Sequence, residues 1–76
     1  MDLNEALDCL RRAAQYHIAA QVQEEDARTN RERARKDYKN AAAAYRGLSL
    51  PDQNKYDATL KVLQKEYDFN PRAYSH

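Results

Sequence analysis

The side chains able to support catalysis or hold a metal are few and far apart in this 76-residue chain. It has one cysteine, Cys9, and two histidines, His17 and His76. On a helix Cys9 and His17 lie about 80° apart, a poor arrangement for a nucleophile and its base, so both are expected to be packing residues. A zinc site needs a cluster of ligands, and a phosphate-binding loop needs several glycines, whereas Gly47 stands alone. We therefore expect no enzyme, no cofactor and no metal site.

The composition favours helices but supplies little material for a core. Leu, Ile, Val and Phe together account for only eleven residues, about 14%, below the roughly 20% of ordinary globular chains. A net charge of only +1 argues against disorder. Thirteen alanines favour helix formation and six tyrosines offer large rings. The missing burial would have to come from oligomerisation, from a partner, or from those rings.

The start and stop signals predict an all-α fold. Asp2 and Glu5 have the spacing of a capping box, and residues 29–32 repeat the pattern. Gly47 is a good helix terminator and Ser49 a good cap for the helix after it. The sequence therefore predicts a small three-helix protein with helices over residues 3–27, 30–46 and 50–68.

These helices are expected to form a single domain over residues 1–69. The first two should form a hairpin, and the third should fold back on the side of Tyr38, Tyr45 and Leu48. Residues 70–76 are expected to be a loose polar tail. The alternative is one continuous helix of about 44 residues over the first two segments, roughly 65 Å long.

Charge is distributed unevenly along the chain. Residues 1–27 carry a net charge of −4, residues 28–46 carry +5, and residues 47–76 are balanced. Five cations of the middle segment lie within about 80° of one another on a helical wheel, beside Tyr38 and Tyr45. We define them as the basic stripe and, with the two tyrosines, as the candidate partner-binding residues: Arg28, Arg31, Arg35, Lys39 and Arg46.

Three interpretations of the basic stripe follow from electrostatics. It fits an acidic protein surface, or it follows a phosphate backbone as in a nucleic-acid-binding protein. Alternatively the acidic first helix neutralises it, aided by local pairs such as Glu24 with Arg28 and Glu32 with Lys36.

The favoured function is a non-catalytic binding module, a small adaptor or inhibitor that docks onto a larger protein. Short single-domain chains of this kind suit phages and mobile elements acting on host machinery. The expected location is the cytoplasm, that of the host if the protein is viral, because a lone cysteine fits a reducing compartment and no apolar run approaches the ~18 residues of a membrane span. A structural, coiled-coil-type oligomer is a further alternative.

The junction of the second and third predicted helices resembles that of an HMG box. The resemblance rests on an aromatic residue three positions before a Leu-Ser step and on aromatics beyond it, within Tyr45, Arg46, Gly47, Leu48, Ser49, Asp52, Gln53, Tyr56 and Tyr67. It implies minor-groove DNA binding through an apolar wedge. The chain lacks that family's basic N-terminal arm, its paired phenylalanines and its general positive charge, so we do not assign it to the family.

Because bulky aliphatic residues are so few, we expect a homodimer or a stable hetero-complex at micromolar concentration. Light scattering on the purified protein measures this directly. A monomer with a sharp, cooperative melting transition would contradict the expectation. It would mean that tyrosine and alanine complete the core unaided.

Overall fold

The computed structural model of the chain describes residues 2–74. Three α-helices are followed by a short 3-10 helix: α1 (Leu3–Val22), α2 (Ala27–Tyr45), α3 (Leu50–Tyr67) and Pro71–Tyr74. The described residues contain no strand, so the predicted all-α three-helix fold is confirmed. None of these helices has an apolar stretch long enough to cross a bilayer.

The first two helices form the predicted hairpin. The Asp2 carboxylate accepts a hydrogen bond from the backbone N–H of Glu5 at 2.9 Å, which starts α1 as the capping pattern predicts. Arg12 of α1 pairs with Asp37 of α2 at 3.6 Å, whereas Tyr16, one turn later, lies beneath Arg33, one turn earlier. The two helices therefore run antiparallel.

The loop of this hairpin lies earlier than predicted. Helix α1 ends at Val22 instead of residue 27, and α2 begins at Ala27 instead of residue 30. The intervening residues include three consecutive carboxylates at 24–26. These would oppose the negative C-terminal end of a longer α1, whereas they stabilise the positive N-terminal end of α2. The capping box predicted at residues 29–32 is inside α2 and starts no helix.

Small side chains fill much of the core. Leu10 is the one large residue among the described residues with a fully buried side chain. Alanines from both helices of the hairpin are completely buried around it: Ala6, Ala13, Ala14, Ala34 and Ala41. Val22, the last residue of α1, is 74% exposed and contributes little to this core.

The backbone of the third helix lies closer to α1 than to α2, but its side chains reach the predicted side of α2, where Tyr56 and Asp57 contact Tyr45. Its start follows the predicted signals, since the Ser49 hydroxyl accepts the N–H of Asp52 at 3.4 Å. Tyr56 links the start of α3 to α2 by packing on Tyr45, with ring centroids 4.8 Å apart. Helix α3 therefore runs parallel to α1, and side chains at this end bridge its gap to α2.

Residues 71–74 are ordered against the bundle, so the prediction of a loose tail is wrong for them. Asp68 ends α3 in the left-handed conformation, with φ of 52°, and turns the chain back. Phe69 and Tyr74 then stack with centroids 5.6 Å apart, and both are buried. The rings of Phe69 and Tyr74 bury this segment, although most of the residues around them are polar and predict an exposed tail. Ser75 and His76 lie outside the described residues.

His17 anchors this C-terminal segment. Its Nε2 lies 3.1 Å from the Asp68 carbonyl oxygen, and its Nδ1 lies 2.6 Å from the Tyr74 hydroxyl. Because a carbonyl only accepts, Nε2 carries the proton and Nδ1 accepts from Tyr74. The amide nitrogen of Gln21 lies 3.0 Å from the same Nε2, and with Nε2 as the donor this amide has to be turned so that its oxygen faces the ring. The packing role predicted for His17 is thus a specific one, since it joins α1 to residues more than fifty positions away.

Leu10→Ala should lower the free energy of unfolding by about 2–5 kcal/mol, because a fully buried leucine leaves a cavity when truncated. Urea denaturation followed by circular dichroism measures the loss. Leu50→Ala is the matched control, since Leu50 is 70% exposed and the same atoms are removed. Equal stability of the two variants would contradict the central position of Leu10.

Candidate partner-binding surface

The basic stripe lies on the solvent side of α2. All five of its residues are exposed, and they extend from the first turn of the helix to its C-cap, Arg46. At 1.5 Å per residue, Arg28 and Arg46 are about 27 Å apart along the axis. The opposite face of α2 buries Asn30, Ala34 and Ala41. The stripe therefore consists of four exposed cations between residues 28 and 39, with Arg46 set apart beyond Ala42 and Ala43.

No ion pair between described residues neutralises the stripe. Such pairs join Arg11 to Asp8 within α1 and Arg12 to Asp37 across the hairpin. The second has the opposite sense to the predicted one, since α1 supplies the cation and α2 the carboxylate. Within residues 2–74, the local pairing proposed for Arg28 with Glu24 does not occur within 4.0 Å. Internal neutralisation thus has no direct contact to support it.

Tyr38 and Tyr45 both belong partly to the core and partly to the surface. Tyr38 packs edge-on against Phe69, with centroids 5.8 Å apart. The Tyr45 hydroxyl donates to the Asp57 carboxylate at 3.2 Å. Tyr38 also lines a shallow depression that holds two stripe residues, Lys39 and Arg46. The structure thereby brings an aromatic ring and two cations of the candidate set onto one surface.

A second depression separates α2 from α3. It has a volume of about 220 Å³ and shares Tyr38 and Ala42 with the first. Its lining comes from both helices: Tyr38, Ala42, Tyr45, Tyr56, Asp57 and Leu60. We call it the α2–α3 groove. The sequence places Tyr56 and Leu60 on one face of α3, but nothing in it indicates a groove, which depends on the angle between two helices.

Tyr56 carries an unusual polar atom in this groove. Its side chain is 4% exposed, and its hydroxyl is the buried side-chain oxygen or nitrogen of the described residues that has no hydrogen-bond partner. Burial, followed by the nearby Tyr38 and Asp57, raises the pKa of this hydroxyl far above its usual value of 10.0. A buried hydroxyl without a partner costs roughly 1–3 kcal/mol.

The stripe also borders the ordered C-terminal segment. Burial raises the pKa of the Tyr74 hydroxyl, and the positive charges of Arg31 and Arg35 partly offset that effect. The Tyr74 hydroxyl therefore lies within the electrostatic reach of the stripe. Sequence reasoning missed this neighbourhood because the segment was expected to be loose.

Chemistry-bearing clusters are not found elsewhere in the part of the chain that the structure describes. Within residues 2–74, no three His, Cys, Asp or Glu side chains converge as a metal site requires. Cys9 is buried, and its sulfur lies 3.3 Å from the Arg12 guanidinium.

Tyr56→Phe should raise the free energy of unfolding by about 1 kcal/mol, because it removes a partnerless hydroxyl and keeps the ring. The wild type should also lose stability as the pH rises above about 10, where the unfolded state releases the Tyr56 proton and the folded state retains it. The variant should lose less over that range. Urea denaturation at neutral and alkaline pH measures both effects.

Tyr74→Phe is the matched control for that experiment, because it deletes a hydroxyl that donates to His17. It should lower stability at neutral pH, where Tyr56→Phe raises it. If the two variants were destabilised equally, the Tyr56 hydroxyl would have a partner in solution.

Comparison with protein-family models, curated proteins and solved structures gives no match to this chain. The local resemblance of residues 45–49 and beyond to an HMG-box junction thus has no family match behind it.

Proposed function

We propose that this chain is a non-catalytic binding module that docks the basic face of α2 onto an acidic surface of a larger protein, as a small adaptor or inhibitor. The observation that carries the proposal is the basic stripe, five exposed cations that form no ion pair with any described residue. Aligned cations attract an acidic partner and accelerate its association. The cytoplasm, that of the host if the protein is viral, is the proposed location.

The geometry of the grooves supports a protein partner. Interface cores are enriched in aromatic residues and arginine, and they need concave places for anchoring side chains. Tyr38 and the stripe residues Lys39 and Arg46 line one such depression, and the α2–α3 groove adjoins it. A surface that only followed phosphates would need the cations but not the neighbouring apolar concavity.

Nucleic acid is the second candidate, favoured by the roughly linear arrangement of the stripe along about 27 Å of helix. Neutralised phosphates release counterions, so five contacts would give a log–log salt dependence of duplex affinity with a slope of about −4 to −5. An acidic protein partner predicts only weak duplex binding at physiological salt.

The test replaces Arg31, Arg35 and Lys39 together by Gln, which keeps helix propensity and removes three charges. The matched control replaces Lys55, Lys61 and Lys65, exposed cations of α3, in the same way. Circular dichroism checks that both variants remain folded. In pulldowns from the source organism followed by mass spectrometry, we expect an acidic protein that the stripe variant loses and the α3 variant retains.

Duplex DNA is titrated against the same three proteins. Sub-micromolar binding of the wild type at ~150 mM salt, lost in the stripe variant alone, would overturn the protein-partner proposal in favour of nucleic acid. Equal behaviour of the stripe and α3 variants in both assays would show that the stripe binds neither class of partner.

A further inference from the structure

The α2–α3 groove has the residue spacing of a surface on which one more helix can pack. On α2 its floor follows Tyr38, Ala42 and Tyr45, at steps of four and three residues, and on α3 it follows Tyr56 and Leu60 at a step of four. These are the spacings with which a helix presents one face to a neighbour. The rings of Tyr45 and Tyr56 bridge the two helices at one end. The small side chain of Ala42 leaves open space in the middle of the groove.

The size of the groove indicates what enters it. Its volume of about 220 Å³ is below the roughly 300–1,000 Å³ of pockets that hold drug-sized ligands and cofactors. That space fits a single anchoring side chain better than a small-molecule ligand. Aromatic residues are the most frequent anchors of protein interfaces.

The polar atoms of the groove determine which kind of side chain can anchor there. Asp57 accepts one hydrogen bond from Tyr45 and forms no ion pair with any described residue, so its carboxylate retains acceptor capacity. The floor residue Tyr56 already lacks a hydrogen-bond partner. An anchor with an N–H or O–H beside its ring can donate a hydrogen bond to the exposed Asp57 carboxylate, whereas an acidic side chain at that point would be repelled.

The charged residues at the edge of the groove determine which charge a bound helix must carry on its flank. Lys39 and Arg46 border the depression on the outer side of Ala42, and the rest of the stripe continues along α2. A helix in the groove therefore meets cations along one flank and a carboxylate near its anchor. Charge complementarity requires acidic residues on the flank that faces α2.

We propose that the α2–α3 groove binds an acidic amphipathic helix of the partner, anchored by one tryptophan or tyrosine side chain whose N–H or O–H faces Asp57. The inference rests on the proposed function and specifies the partner segment that the basic surface recognises. Binding would follow the general mode in which the apolar face of a helix fills a groove.

The test uses a display library of helical peptides with glutamates fixed along one flank and a single randomised anchor position. Wild-type protein should enrich peptides with Trp or Tyr at that position over those with Phe. Asp57→Ala should remove the preference for Trp over Phe. In a 1H–15N NMR spectrum of the wild type, an enriched peptide should shift the backbone amide signals of Tyr38, Tyr56 and Leu60. This measurement needs no variant.

Ala42→Phe fills the groove and should weaken the enriched peptides about ten-fold or more, the effect of losing one anchor. Ala58→Phe is the matched control, since Ala58 is exposed on α3 and lines neither groove. It should leave the affinity unchanged.

The outcomes separate the two proposals. If the stripe variant loses the peptides while Ala42→Phe retains them and the amide shifts remain confined to α2, the groove inference fails and the basic surface stands. If Ala42→Phe loses them and the stripe variant retains them, the acidic-partner function fails. A library with no anchor preference, or self-association through the groove in place of peptide binding, overturns the inference.

Discussion

The contact between α1 and α2 is built largely from alanine, and the rest of the structure follows from that choice. Alanines on both helices are completely buried, and Leu10 is the single large side chain of the described residues that is buried to the same degree. Small side chains let helix backbones approach closely and fill the interior densely, although each one removes little apolar area from water. The hairpin is therefore compact but leaves little room for further aliphatic packing.

Aromatic rings supply what the alanines lack. Tyr56 closes the bundle where α2 ends and α3 begins, and Phe69 and Tyr74 close it at the opposite end. Rings bury large areas, but a tyrosine also carries a hydroxyl that needs a partner. Tyr74 finds His17, whereas Tyr56 finds no partner among the described residues. The stability of a core built with tyrosine in place of aliphatic residues therefore depends on whether each hydroxyl has a hydrogen-bond partner.

Much of this architecture could be predicted from local signals. Asp2 and Ser49 cap helices as expected, because capping depends on neighbouring residues alone. The sequence predicts the loop after Val22 too late in the chain, because the carboxylates at 24–26 could belong to the end of α1 or to the start of α2. The dipoles of both helices favour the start of α2, and this effect is not visible in the capping pattern. The exposed position of the basic stripe followed from the helical wheel. The α2–α3 groove and the packing of Tyr74 did not, since both depend on contacts between distant segments and leave no periodic trace in the sequence.

The bond between His17 and Tyr74 spans 57 positions, and its backbone companion at Asp68 spans 51. The hairpin, by contrast, is held by contacts between helices that are adjacent in sequence. Closing a long loop costs entropy that a local contact does not, so the two parts of the fold mature at different times. In folding of the full chain we expect the hairpin of α1 and α2 to form first, with the imidazole of His17 in water until Phe69 and Tyr74 pack against it.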